Sequence, residues 1–316
     1  MKCAASSVCL GQGQDKEQAK ELSSFAIFVD FTPLTPLATH CSIWLYHQVR
    51  FSVISSGSKA NCTFVEADGF RLLVDCGLSG RQAETRLASH GIEASSLQAI
   101  LVTHEHSDHI HGVGTLSRRH GIPVYANGAT MEHVGKVKGR EIFTTGHDFS
   151  VGPFDVTPFS IAHDAVDPVG FVLRSKGFKL VVVTDLGRVT TLVREHVQGA
   201  NAIILESNHD QEMLQGCSYT WELKQRISST HGHLCNDAAG QLLEEIMHPE
   251  LFHIVLGHLS ENSNTPQLAL QTANRYLNQC SDRSQGLRTL LCGNVYETLP
   301  CLELDEPARG AVLVNA

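Results

Sequence analysis

The pattern of apolar and polar positions changes character near residue 50. Residues 1–48 carry Ser, Gln and Lys in their first half and a Pro-punctuated run from Phe31 to Leu37 in their second, and neither half repeats with a period that would bury one face. From Phe51 onward, short apolar runs alternate with turn residues, which predicts strands over 51–54, 62–66 and 70–74. Asp68-Gly69 between the last two is a strong hairpin signal. A helix is predicted over 82–90, followed by a strand over 97–103 that delivers the chain into His104. Further strands are expected over 124–126, 154–161, 170–174, 179–184 and 202–205, and helices over 191–197, 220–228, 237–247 and 266–277. A last strand pair, 287–291 with 301–304, is expected to close the fold. Strands in two runs with helices outside them predict an α+β chain in which two sheets pack face to face beneath helical layers. The expected organisation is a poorly ordered extension over 1–48 and one domain over 49–316, with no internal repeat.

Composition narrows the class. Apolar residues make up 42% of the chain and charged residues 18%, and no run approaches the roughly 20 apolar residues of a membrane span. Ten Cys without a CxxC pair do not form a disulfide scaffold, and no signal peptide is visible, so a reduced, cytoplasmic protein without a membrane partner is expected. A net charge of -9 weighs against a surface that embraces nucleic acid everywhere. Arg118-Arg119 with Lys136, Lys138 and Arg140 is a local basic stretch that fits either an anionic substrate or an ordinary solvated face.

The 18 His change the picture because they cluster with acids. Thr103-His104-Glu105-His106-Ser107-Asp108-His109 sits where an apolar strand ends and a helix begins, so three imidazoles and a carboxylate converge from one loop. Neutral nitrogen and hard oxygen together suit zinc, manganese or iron. His163 follows Phe159-Ser160-Ile161-Ala162, Asp185 follows Val181-Val182-Val183-Thr184, His258 follows Ile254-Val255-Leu256-Gly257, and Asp75 ends Leu72-Leu73-Val74. Each is a polar residue at the end of a buried strand, as a shared site demands.

At these residues the chain resembles the metallo-β-lactamase superfamily, whose motifs are an early strand-end Asp, a His-x-His-x-Asp-His loop, and then His, Asp and His. The resemblance spans roughly Phe51 to Leu304 and implies a four-layer αββα sandwich with two divalent metal ions, zinc or manganese, between the sheet edges. It implies one metal on His104, His106 and His163 and the other on Asp108, His109 and His258, with Asp185 bridging and Asp75 bracing the His-rich loop. Flavodiiron members have Glu where this chain has His106, so a hydrolytic site is expected rather than an oxygen-reducing one. Ser55-Ser56-Gly57-Ser58-Lys59-Ala60-Asn61-Cys62, Glu206-Ser207-Asn208-His209-Asp210 and Gly232-His233-Leu234 look like the YycJ (WalJ) branch, compact bacterial proteins regarded as phosphodiesterases or exonucleases.

Two metals about 3.5 to 4 Å apart can hold one bridging water, bring its pKa toward about 7 and clamp the oxygens of an in-line displacement. The expected nucleophile is therefore a metal-bridging hydroxide, with Asp108 positioning it or accepting its proton. Glu206, His209, Asp210 and His233 resemble the Glu and His motifs of tRNase Z and the β-CASP nucleases. Gly232-His233-Leu234 precedes a helix starting near Asn236, where free amides would hold a phosphate, and His233, polarised by Glu206, would protonate the leaving oxygen. His209 also reads as a structural histidine. The leading expectation is phosphodiester hydrolysis on DNA or RNA. Its rivals are hydrolysis of a small ester, thioester or lactam by the same site, and a metal-bound regulatory protein without turnover, against which the complete ligand set weighs. Removing residues 1–48 is expected to leave activity intact, and a large loss in a cleavage assay would defeat their reading as an extension.

Overall fold

The computed structural model describes residues 49–305; the extension expected over 1–48 lies outside the described residues, as do 306–316. The first half opens with β1 (Val49–Ser55), β2 (Cys62–Ala67) and β3 (Phe70–Val74) as an antiparallel meander. Asp68 and Gly69 join β2 to β3 with φ of 51° and 75°, so the expected tight turn is present. Next comes α1 (Gly80–Ser89), opened by a reciprocal capping box between Ser79 and Gln82. After it follow β4 (Ala99–Leu101), α2 (Ser107–Ile110), α3 (Val113–His120), β5 (Pro123–Asn127), α4 (Gly128–His133) and β6 (Gly139–Phe143), and β3 to β6 pair in parallel.

The second half starts with β7 (Phe149–Val151), β8 (Phe154–Ser160), β9 (Val169–Ser175) and β10 (Phe178–Val183), each antiparallel to the one before. It continues through α5 (Thr191–Val197), β11 (Ala202–Glu206), α6 (Gln211–Gly216), α7 (Trp221–Ile227), α8 (Asn236–Ile246), β12 (His253–Gly257), α9 (Pro266–Leu277), β13 (Thr289–Cys292) and β14 (Leu302–Leu304). The sheets run β14-β1-β2-β3-β4-β5-β6 and β13-β12-β11-β10-β9-β8-β7.

Three apolar layers hold this arrangement together. Phe51, Val65, Phe154, Phe171, Val182 and Ile204 fill the space between the sheets. On the outer face of the second sheet, Val181, Val183 and Leu205 pack with Val193 of α5, Leu242 of α8 and Ala273 of α9. Leu73, Ile100 and Val124 do the same for the first sheet against Leu87 of α1 and Leu116 of α3. Because β10 is buried on both faces, its sequence is a continuous apolar run rather than an alternation. The result is the four-layer αββα sandwich expected from sequence.

One expectation is corrected and two strands are added. The segments near 287–291 and 301–304 do not pair with each other: β13 joins β12 in parallel, whereas β14 lies antiparallel to β1 in the other sheet. The α9 crossover between β12 and β13 makes the parallel pairing sterically available. The edge strands β6 and β7 went unforeseen because their side chains are largely exposed and form no apolar run.

The contact between α8 and α9 yields a test. A Cβ at Gly240 would lie 2.2 Å from Cδ2 of Tyr276, whose hydroxyl donates to Asp237 Oδ1 at 3.1 Å and so holds the ring in place. Gly240→Ala gains about 1 kcal/mol of helix propensity but overpacks by about 1–3 kcal/mol, so a lower Tm is expected. A raised Tm would show that the ring yields.

Candidate metal centre

The C-terminal ends of the strands supply the site. Asp75 follows β3, His104 and the His-rich loop follow β4, His163 follows β8, Asp185 follows β10, Glu206 ends β11 and His258 follows β12. Asp75, Asp185 and His258 all take left-handed backbone conformations, with φ of 60°, 59° and 55°. That turn costs a non-glycine residue about 1 kcal/mol or more, and it swings each side chain off its strand into the cleft.

Their donor atoms fall into two adjoining sets, and a third that joins Asp185 and His258 to Glu206 and His233 overlaps the second. His104, His106 and His163 form one, and Asp108, His109, Asp185 and His258 the other, with the donor atoms of each set within 4.8 Å of one another. Asp185 spans the two: its carboxylate lies 3.0 Å from His109 Nε2, 3.4 Å from His258 Nε2 and 3.6 Å from His163 Nε2. His104 Nε2, Asp185 Oδ2 and His258 Nε2 are buried without a hydrogen-bond partner. An unsatisfied buried polar atom costs about 1–3 kcal/mol, and three of them converging here, all of metal-ligating type, fit divalent cations.

The outer atoms of the rings explain which way the inner ones point. His109 Nδ1 donates to Asp75 Oδ2 at 2.8 Å, and Asp75 also accepts from the Thr103 backbone N–H and hydroxyl, each at 2.8 Å. Thr103 Oγ1 lies 3.0 Å from His104 Nδ1. His163 Nδ1 donates to the Gly232 carbonyl at 3.2 Å, and His258 Nδ1 to Glu206 Oε1 at 2.8 Å. Four rings thus spend Nδ1 on the protein and present Nε2 to the cleft, the arrangement that orients ligating histidines. His106 is turned the other way, with Nδ1 3.2 Å from His163 Nε2.

Burial pushes the His104 and His163 imidazoles below their ordinary range. At His109 burial acts in the same direction, yet Asp185, Asp75 and Asp108 outweigh it and hold that imidazole well above its usual value. Burial is likewise overcome at His258, which Asp185, Asp108 and Glu206 push up to about 10. In the second set two carboxylates thus hold two imidazoles toward their charged form, so protons stand where a cation would balance the same carboxylates.

Beside it, Glu206 is fully buried and accepts at Oε1 from both His258 Nδ1 and His233 Nδ1, each at 2.8 Å. Its other oxygen accepts from the backbone N–H groups of Leu186 and Leu234. Burial would raise this carboxyl, but His233 and His258 hold it down at about 2. Of the remaining sequence candidates, Asn236 is corrected as a substrate contact: it is buried, and its amide is taken up by Ser207 and Asn264. Asp210 Oδ1 caps α6 by accepting from Met213 N–H. His209 is buried, its pKa lowered to about 4 by that burial, and its Nδ1 has no partner. The basic stretch is a locally engaged face: Arg119 pairs with Glu84, and Arg118 and Arg140 donate to the Lys136 and Met131 carbonyls.

Sequence reasoning gave no role to Asn61, whose Nδ2 reaches Asp108 Oδ2 at 3.2 Å, or to Ser56, whose hydroxyl accepts from His258 N–H at 2.8 Å. Gly77 was also missed. A Cβ there would lie 1.6 Å from the Asp108 carbonyl oxygen, so only glycine lets the His-rich loop close on the β3 end.

A sandwich with metal-binding clusters at its strand ends defines a class, and comparison with known proteins gives the same one. Residues 70–254 match the family described as the beta-lactamase superfamily domain. The metallo-beta-lactamase fold protein YhfI from Bacillus subtilis superposes with a TM-score of 0.61 at 18% identity, covering 81% of this chain and 99% of that one. The chain belongs to the metallo-β-lactamase superfamily. Within it the chain is YycJ-like: it is 39% identical to exodeoxyribonuclease YycJ of Bacillus anthracis, over 73% of this chain and 90% of that protein. It is also 37% identical to exodeoxyribonuclease WalJ of Streptococcus pneumoniae, over 79% and 94% respectively.

Removing the brace tests the ring-orientation argument. Asp75→Ala is expected to weaken metal binding by about 10- to 100-fold in competition with a chromophoric chelator, because His109 loses its fixed tautomer. Unchanged affinity would show that the ring is held without it.

Proposed function

We propose that this chain is a metal-dependent hydrolase that acts as an exonuclease on DNA. The observation that carries the phosphodiester chemistry is the Glu206–His233 pair at the lip of the metal centre, with His233 Nδ1 held at 2.8 Å and the ring partly exposed. The choice of DNA is supported by the two relatives of that name, of which the chain covers 90% and 94%. In this reading His104, His106 and His163 hold one zinc or manganese ion and Asp108, His109 and His258 the other, with Asp185 between them. Ions bound there would activate water and neutralise charge on the phosphodiester oxygens.

The protein's own groups do the rest. Asp108 is anchored by Asn61 yet keeps its side chain partly exposed, which suits it to orient the attacking water. His233 offers Nε2 to the leaving oxygen while Glu206, buried and ionised, stabilises the imidazolium that must donate the proton. Cys62, Cys76, Cys217, Cys235, Cys280, Cys292 and Cys301 are free thiols, which supports a reducing, cytoplasmic setting. Among the described residues no helix is long and apolar enough to cross a membrane.

Purified protein is expected to carry two metal ions and to degrade end-labelled single-stranded DNA, with activity lost to a chelator, restored by zinc or manganese, and absent in His106→Ala. Two bound metals without cleavage of DNA or RNA would move the assignment to a small ester or thioester. His233→Ala should lower turnover by about 10²- to 10⁴-fold at unchanged metal content. Full turnover in that variant would remove the general-acid role.

A further inference from the structure

A cavity of about 780 Å³ opens beside His233 and runs between α5, α6, α7 and α8. That volume lies within the roughly 300–1,000 Å³ typical of small-molecule pockets. Buried Leu214, Leu234 and Leu242 give it an apolar floor. Around the rim stand Gln211, Gln215, Gln225 and Gln241, uncharged amides that each offer donors and an acceptor. Trp221 also lines it, with its indole left 67% exposed.

Two further observations point to a ligand. His209 lines the cavity, is only 3% exposed, and has no hydrogen-bond partner for Nδ1. A buried polar atom is left unpaired at a cost that a bound polar group would remove. Arg188 is exposed on the rim and forms no ion pair among the described residues, Lys224 of α7 donates to the Gln215 carbonyl, and Arg194 is paired with Glu245, so the lining carries a surplus of positive charge that a phosphate would meet.

We propose that this cavity seats the terminal nucleotide of the substrate strand, a deepening that rests on the nuclease reading given above. The base stacks on Trp221 over the apolar floor, its edge meets the glutamine amides and His209, and its phosphate lies toward Arg188 and Lys224. His233 belongs both to the cavity lining and to the dyad with Glu206, so a nucleotide seated here presents its sugar oxygen to the proton donor. A strand entering this way delivers one end, not its middle, which is how the fold would select exonucleolytic cleavage.

The test is calorimetric titration of deoxyadenosine 5′-monophosphate into the metal-loaded full chain and into Trp221→Ala and Gln241→Trp, with KM and kcat on single-stranded DNA alongside. Loss of the stack in Trp221→Ala and filling of the cavity in Gln241→Trp should each raise Kd and KM about ten-fold or more, with metal content and Tm unchanged. If Gln241→Trp fails to fold, the exposed Trp221 site decides alone. Cleavage of DNA with nucleotide binding and KM the same in wild type and variants overturns the cavity assignment and leaves the nuclease reading standing. Nucleotide binding that the variants weaken, in a protein that does not cleave DNA, keeps the cavity assignment and sinks the nuclease reading. Failure of the wild type to bind the nucleotide at millimolar concentration overturns the cavity assignment.

Discussion

A carboxylate buried among imidazoles cannot satisfy itself, and Asp185 is in that position. It is 2% exposed, sits on a left-handed backbone turn at the end of β10, and faces His109, His163 and His258 while one of its oxygens has no hydrogen-bond partner. Apolar sheet packing places it there, because Val181 and Val183 on one face of β10 and Leu180 and Val182 on the other lock the strand in the middle of the sandwich. Desolvating so many ionisable groups is costly unless cations enter. The hydrophobic layers therefore supply the stability that holds a metal-ready cluster together.

Much of this was legible in the sequence for the same reason. A strand buried on both faces gives an unbroken apolar run, and a polar residue ending such a run has nowhere to point except the sheet edge; Asp75, Asp185 and His258 were found that way. The supports were not legible in that pattern. Asn61 meets Asp108 from 47 residues away, and nothing in its own loop announces the partner. Gly77 looks like any loop glycine until the Asp108 carbonyl is seen against it. Asn236 misled because a residue opening a helix suggests an anion site, whereas Ser207 and Asn264 draw its side chain into a buried network.

Glu206 ties the metal cluster to the surface. One oxygen orients His258 in the cluster and His233 at its lip, and the other is clamped by the backbone of Leu186 and Leu234. Those two amides belong to the segments that follow Asp185 and His233, so the same carboxylate fixes both loops at once. Replacing it would release the tautomers of His258 and His233 together with both loops, so a single buried acid here holds four contacts at once.

Close backbone packing flanks the cleft on both sides. On the side of the first sheet, side chains at Gly77 and Gly112 would overlap carbonyl oxygens of Asp108 and Leu78 at 1.6 and 2.1 Å, and on the side of the second a side chain at Gly232 would lie 2.1 Å from the Arg226 carbonyl oxygen. On the side of the second sheet, the short helices α6 and α7 stand off from α5 and α8 and leave the cavity open. Close packing suits side chains that must converge on one point within tenths of an ångström, and the cavity leaves an open surface beside them. Since His233 lines that cavity and is anchored by Glu206, its ring is fixed as firmly as those of the cluster while part of it stays open to the cavity.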